Sequence, residues 1–447
     1  MKVGIKISLR EGYQWIGAMK SRNLLVDTFA VFFGVGAWVA INGLWVELPL
    51  LVEVLPEYWS LPSYLSIGRT VIQENLIANV GPIAYSLLRI FKPSVAPQPI
   101  IYIILVIGCV ATLLLAIFWE KTTYVGGVEH STALLILVFF IAIVDCTSSV
   151  LYIPYMAFWK AIYLPSYLVG EGLSGLLPAL VSLMQGVGGN TECVNKTDEN
   201  GTVILVPDEL DPNFSVDVFF YVLFIMMILS SGAFVLLERL PSIQVERASE
   251  FESEATLSYD ETNTKKYELN VAYPDAKMDT STFTFLLVVQ TWACLLSNGF
   301  MPSIQSYACG PYGNIAYHLA ATLSSLASPL AALSTMFLKR SSPKVVGILS
   351  LFGTALASYI IVMAAMSPSP PLMGETWGSV LIVLAWIAFS GIITYVRVEI
   401  ANLMRVDGAT PLFWSGVVTQ AGSAIGAGVA FVLVNVTDSF VSYEPCG

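Results

Sequence analysis

The sequence predicts an all-α polytopic membrane protein of about eleven spans, and three observations carry that reading. Hydrophobic residues make up 56% of the 447-residue chain and charged residues only 12%, whereas soluble domains carry roughly 25% charge. Apolar runs of about 20 residues, the length that crosses a bilayer, recur from end to end. The 21 Lys and Arg residues collect on one side of those runs. Mean hydropathy is +0.73, which a water-soluble chain could sustain only by exposing large apolar patches. The net charge of −11 argues against a nucleic-acid partner, because phosphate binding needs clustered bases. Six Cys without a Cys-x-x-Cys pair, and two His, argue against a structural metal site.

The first apolar run, 24–46, follows a basic segment from Met1 to Asn23 that carries Lys2, Lys6, Arg10, Lys20 and Arg22. It reads as a signal-anchor, since the apolar core of a cleaved leader is shorter and nearer the start. Further spans are expected at 63–89, 99–119, 131–158, 166–187 and 217–238, then at 282–304, 314–338, 344–366, 378–400 and 411–436. With a cytosolic N-terminus, this arrangement puts seventeen basic residues in the cytosol and only Lys121 and Lys196 outside. Arg69 and Arg397 are left near or inside spans. Moving one span would scramble the asymmetry.

The resulting organisation is a cytosolic segment 1–23, a six-span bundle 24–238 with an outer loop 188–216, a polar acid-rich cytosolic linker 239–281, a five-span bundle 282–436 and an extracellular tail 437–447. Sequons at Asn195, Asn200 and Asn213 all fall in the outer loop and are expected to be glycosylated; Asn435 lies too near the last span. Cys193, Cys309 and Cys446 are expected outside, which allows one disulfide among three pairings. Cys309 with Cys446 is favoured because both lie in short connections. Cys109, Cys146 and Cys294 fall in spans and read as packing residues.

Polar groups inside spans are costly in lipid and usually face a bundle interior or a wet cavity. Trp38, Asn42 and Trp45 share one helical face at i, i+4 and i+7, with Glu47 at the outer end. Asp145, Ser149 and Tyr152 form a stripe beside Thr147 and Ser148. Glu171 opens the fifth span ahead of Ser174 and Pro178. Asn298, Pro302 and Gln305 share a face of the seventh, and Tyr317 with His318 opens the eighth. Plain structural readings compete at several of these. Trp45 fits an interfacial belt, Thr147 a bond to the carbonyl one turn back, Glu171 a helix N-terminus and His318 a packed ring. Gly422 and Gly426, like Gly34 and Gly36, fit close helix contacts. Repetition favours a pocket: several spans turn an aromatic together with an amide or carboxylate inward, which suits a planar, polar, uncharged ligand.

Four blocks carrying these residues resemble the eukaryotic riboflavin transporter family: GAWVAINGLWVELPLLVEVLPEYWSLPSY (Gly36 to Tyr64), VDCTSSVLYIPY (Val144 to Tyr155), GEGLSGLLPALVSLMQGVG (Gly170 to Gly188) and MPSIQSYACGPYGNIAYHLAATLSSLASPLAAL (Met301 to Leu333). The resemblance runs from about Phe32 to the C-terminus, outside two variable loops. It implies a plasma-membrane carrier for riboflavin that is sodium-independent and, in some members, pH-sensitive. It also implies a six-plus-five arrangement like major-facilitator and nucleoside transporters. The chain departs from the family pattern in a longer N-terminal segment and at Gly68-Arg69-Thr70 and Glu74-Asn75.

On this reading the isoalloxazine ring stacks on Trp38 or Tyr152, and Asn42, Ser148, Asn298 and Gln305 bond its uracil-like edge and ribityl hydroxyls. Trp45 and Tyr317 complete the substrate set. Glu47, Asp145, Glu171 and His318 are candidates for proton coupling or gating. Riboflavin is cargo, and no cofactor is expected. Rivals are a carrier of another aromatic or polyhydroxylated solute, such as a nucleoside, and a membrane sensor that binds without transporting. An enzyme is disfavoured: His130 and His318 are isolated, and Ser174 lacks the setting of a nucleophile elbow.

Overall fold

The computed structural model describes residues 22–57, 61, 79–92, 95–186, 192–197, 203–208, 212–247, 278–338, 340–437 and 439–441. Asn23 opens the first helix, its side chain accepting the Leu25 N–H at 3.0 Å. Helix α1 (Leu24–Val35) is followed after three residues by α2 (Val39–Val54), and the two axes are bent by 48°. The first expected span is therefore a broken helix that runs on to Val54. The last part of the second expected span is α3 (Val80–Phe91); Arg69 and Glu74 lie outside the described residues. Then come α4 (Pro97–Phe118), α5 (Thr132–Met156), α6 (Leu164–Gln185) and α7 (Val216–Arg239). Gly186 ends α6 in the left-handed region at φ 91°, where a residue without Cβ is unstrained.

After the linker, of which 248–277 lie outside the described residues, α8 (Thr280–Cys294) passes through a π-helical turn, Leu295–Phe300, into α9 (Met301–Cys309). The rest is α10 (Asn314–Ser334), α11 (Pro343–Ala365), α12 (Thr376–Met404) and α13 (Ala409–Phe431). Among the described residues, eight helices are long and apolar enough to cross a membrane, or nine if the bent pair is one span. Helix α10, rich in Ala and Ser, stands where the eighth span is expected.

Two antiparallel hairpins lie in the connections between helices and were not expected. Thr123–Val125 (β1) pairs with Val128–His130 (β2) around Gly126 and Gly127, both at positive φ, as a two-residue hairpin turn demands. Glu192–Thr197 (β3) pairs with Val203–Asp208 (β4) in the connection between α6 and α7.

In the N-terminal half α1 packs on α6 and α7, and α4 on α5 and α7; in the C-terminal half α12 packs on α10 and α11, and α13 on α8 and the π turn. The halves meet where α6 crosses α10 and α5 crosses α13. At those crossings a Cβ on Gly172 would strike the Pro329 backbone, and one on Gly416 the Ser149 carbonyl. Glycine lets the two halves touch main chain to main chain.

Candidate functional site

The break in the first span organises much of the polar interior. A helix leaves its first N–H groups unpaired, and these cannot be left so in a bilayer. Ile41 N–H, in the first turn of α2, donates to Asp145 Oδ2 on α5 at 3.1 Å. Ser148 Oγ lies within hydrogen-bond range of Ala37 O at 3.2 Å and Asp145 O at 2.6 Å. Asp145 and Ser148, expected at a coupling site and at the substrate, thus serve the broken backbone of a neighbouring helix. Ser148 is fully buried.

Tyr152 is enclosed too. Its ring lies 4.3 Å from Phe33, within a cluster that includes Tyr155, Tyr167 and Phe234. In this conformation both Ser148 and Tyr152, expected at the substrate, are fully buried. The stripe pattern placed them on a common face but could not say that α1 covers it. Thr147 Oγ1 donates to Ile143 O at 2.5 Å, the packing role. Ser149 Oγ accepts from Gln420 Nε2 at 2.9 Å across the two halves.

The opposite face of α2 stays accessible. Trp38 and Asn42 are half-buried and Trp45 is 42% exposed, while Val39, Ala40, Gly43 and Leu44 are buried. Asn42 Nδ2 donates to Ser174 Oγ at 3.3 Å, and Ser174 Oγ to Glu171 O at 2.6 Å. Glu47 is buried, its Oε1 accepting from Gln185 Nε2 at 2.8 Å. Gln185 also donates to Phe214 O at 3.1 Å, so this pair fastens α2, α6 and the start of α7 together.

Glu171 does not sit in the first turn of α6, where it would face the helix dipole. It lies two turns in from Leu164 and pairs with Arg397 of α12, Oε1 to Nη2 at 3.4 Å. Arg397 Nη1 lies 3.4 Å from Asn298 Oδ1 in the π turn. A polar line therefore runs from Asn42 through Ser174 and Glu171 to Arg397 and Asn298, crossing from the first half to the second. The sequence reading set Arg397 aside, because no local pattern links residues so far apart. Gln305, Tyr317 and His318 are half-buried on α9 and α10. Tyr317 meets His318 edge-on at 5.3 Å, and no hydrogen bond among the described residues joins these three to the line.

At the end of the molecule where α5 and α12 finish, the halves are clasped. Arg405 donates to the carbonyls of Met156, Ala157 and Trp159, at and just past the C-terminus of α5, where carbonyls lack a donor one turn on and a cation is favoured. Around it Arg247 pairs with Glu238 and stacks on Trp159, and Lys160 pairs with Glu246 at 2.9 Å. Partial burial raises Glu246, but the bonds from Lys160 and Tyr163 outweigh it and hold the carboxyl below its ordinary range.

Gly422 and Gly426 pack as expected: a Cβ on either would strike the Thr291 or Leu295 carbonyl. Gly34 meets the backbone of α6, and Gly36 the Ser230 side chain. Cys109, Cys146, Cys294 and Cys309 carry free thiols; Cys446 and the side chains at Cys193, Asn195 and Asn200 lie outside the described residues. Asn213 Nδ2 donates to Met184 O at 3.0 Å. A cavity of about 390 Å³ between α10, α11 and α12, lined by Ala331, Leu349 and Tyr395 among others, lies apart from the polar line. Among the described residues no His, Cys, Asp or Glu group could hold a metal ion.

Comparison with known proteins agrees with this architecture. The human organic anion transporter MFSD10 (TETRAN) superposes with a TM-score of 0.56 at 11% identity, covering 92% of this chain and 93% of that one. The fucose:proton symporter FucP in its outward conformation gives 0.52 at 13% identity, covering 93% and 92%. These likenesses establish a major-facilitator fold. In sequence, riboflavin transporter member 3-A of Danio rerio is 41% identical over 95% of this chain and 98% of its own length. Member 3 of Homo sapiens is 40% identical over 94% and 98%, and human member 1 is 36% identical over 95% and 98%. These relatives are named as transporters, not enzymes. The family model for "Solute carrier family 52, riboflavin transporter" matches residues 22–442, and the chain belongs to that family of multi-pass membrane carriers.

Proposed function

We propose that this protein takes up riboflavin across the plasma membrane by alternating access, without sodium and with a rate that responds to pH. The observation that carries the proposal is the polar line from Asn42 to Asn298, which joins two helical halves at their crossing. Carriers of this kind rock two bundles about a site between them. The bundles are 24–238 and 282–436, with eleven spans, a cytosolic N-terminus and linker, and an extracellular glycosylated loop and C-terminus. In that orientation the Arg405 clasp lies on the cytosolic side, and the crossings at Gly172 and Gly416 lie in the cytosolic halves of their helices. With the halves clasped at that end, the conformation is read as the one closed to the cytosol.

Trp38 and Trp45 offer ring faces on the accessible side of α2, where offset stacking adds about 0.5–1.5 kcal/mol to burial. Asn42, Asn298 and Gln305 supply hydrogen bonds, with Tyr317 beside them on α10. Glu171, on the polar line, and His318, on α10, are the groups offered for proton coupling or gating, with Glu47 at the outer end of α2.

Uptake of labelled riboflavin by cells expressing the protein tests the reading. Saturable uptake that persists when choline replaces sodium supports it, and absence of uptake sinks it. Asn42→Ala is expected to raise KM by about five- to hundredfold, the cost of leaving a buried group unpaired; unchanged saturation kinetics removes Asn42 from the contacts. Unlabelled uridine competing as well as riboflavin would move the assignment to nucleosides.

A further inference from the structure

The ion pair between the halves is built unlike the others. Arg22 grips Asp27 through Nε at 2.9 Å and Nη2 at 2.5 Å, and Lys160 meets Glu246 at 2.9 Å. Glu171 and Arg397 meet only at 3.4 Å, and Arg397 reaches Asn298 at the same length. Good N–H···O bonds lie near 2.9 Å, so both contacts are slack. Arg397 Nε is buried with no partner. Asn298 Oδ1 is taken by Ser297 Oγ at 3.0 Å and by Arg397, and among the described residues nothing bonds its Nδ2. Yet the Glu171 and Arg397 side chains keep about a fifth of their surface accessible, 17% and 21%. A slack, partly solvated charge cluster at the crossing of two bundles is poor as a structural tie. It suits a site that an incoming ligand completes.

We infer that Glu171, Arg397 and Asn298 read the N3–H, C2=O and N1 edge of the oxidised isoalloxazine ring. This rests on the proposed riboflavin transport and names the part of the substrate that the cluster recognises. The three side chains present, in spatial order, an acceptor (Glu171 carboxylate), a donor fork (Arg397 guanidinium) and a donor (Asn298 Nδ2). The flavin edge presents the complement in the same order: donor at N3, acceptor at O2, acceptor at N1. A guanidinium also suits a carbonyl held in the plane of a ring. The match predicts selection against pyrimidine nucleosides. Uridine shares N3–H and O2, but its N1 carries the sugar and accepts nothing, so Asn298 Nδ2 would be left unpaired. Such unpaired groups are what give polar sites their discrimination.

The test uses the full-length protein in cells and two flavins altered at one atom each. 3-Methylriboflavin lacks the N3 donor, and 1-deazariboflavin lacks the N1 acceptor. Against wild-type uptake each is expected to compete about tenfold less well than riboflavin, the loss for one buried bond. Asn298→Ala is expected to raise the riboflavin KM with little change in kcat, and to abolish the preference for riboflavin over 1-deazariboflavin while leaving that over 3-methylriboflavin. Arg397→Lys keeps the charge but loses the fork, and its KM is expected to rise about tenfold at unchanged surface amount. Competition by both analogues as strong as riboflavin's own in the wild type overturns the inference even if every variant fails to fold. So does a Glu171→Arg, Arg397→Glu double variant with wild-type KM, which would make the pair a tie between bundles and nothing more. Riboflavin uptake that ignores N1 and N3 defeats this inference alone, whereas no riboflavin uptake at all defeats the transport assignment with it.

Discussion

Both halves bring helices together backbone to backbone, at Gly34 and Gly170 in the first and at Gly422 and Gly426 in the second, but the largest fully buried rings gather in the first. Trp159, Tyr152, Tyr155, Tyr163, Tyr167, Phe33 and Phe234 are among the largest fully buried side chains, and all precede residue 240. In the second half Gly422 and Gly426 bring α13 against the carbonyls of Thr291 and Leu295. There α10 and α12 are joined by hydroxyls: Ser390 Oγ donates to Ser324 O at 2.9 Å, and lies 3.0 Å from Ser328 Oγ. Lipid gives no hydrophobic drive for helices to associate, so both halves rely on close backbone contact and hydroxyl bonds, and the first adds interlocked rings. Interlocked rings resist displacement because a core has few alternative packings. Glycine contacts and hydroxyl bonds present flatter surfaces, along which one helix can shift against another. The difference lies in what a substitution would disturb: a ring cluster in the first half, and in the second a backbone contact beside the π turn that carries Asn298.

The comparison can be broken at graded cost. Gly426→Leu is expected to be the most damaging change: its Cβ would strike the Leu295 carbonyl and the Gly299 Cα, and backbone cannot step aside. A loss above about 4 kcal/mol, the range of exceptional substitutions, would appear as little protein at the cell surface and a low melting temperature in detergent. Normal surface amount would show that α13 does not depend on close approach. Phe33→Ala removes the ring at the centre of the first half and is expected to cost about 3–5 kcal/mol, read as a fall in melting temperature with the substrate KM unchanged. Ser390→Ala is expected to cost about 0.6 kcal/mol, the average for a hydroxyl bond between membrane helices. If its melting temperature fell as far as that of Phe33→Ala, the proposed contrast between the halves would be wrong.

Which parts of this were legible in the sequence follows from the range of the signal. Helix positions depend on runs of apolar residues, a local property, and α4 to α13 stand where the runs predict them. The Gly-x-x-x-Gly pair was legible for the same reason. The bend at Gly36 to Trp38 was not, since no proline marks it and the turn is held by Asp145 and Ser148 from another helix. The π turn was hidden as well, because one extra residue per turn leaves composition untouched. It also alters the angle between Asn298 and Gln305 that a regular helix would give. The site was half legible. Polar residues in spans singled out Asn42, Glu171 and Asn298, which meet on one polar line, but a helical stripe does not reveal what lies opposite: Ser148 faces the Ala37 carbonyl and Tyr152 the Phe33 ring. Arg397 stands 226 residues from Glu171, and periodicity carries nothing over that distance. The hairpin at Gly126-Gly127 did have a signal, two glycines between short β-branched and aromatic residues.

The clasp at Arg405 is lopsided in its dependence on side chains. One partner is a guanidinium, and the others are peptide oxygens of Met156, Ala157 and Trp159. A change of side chain at any of those three positions leaves its oxygen in place. Inherited variation can therefore disarm this closure most directly through a single codon, while the facing strip of helix tolerates exchange as far as the contact itself is concerned.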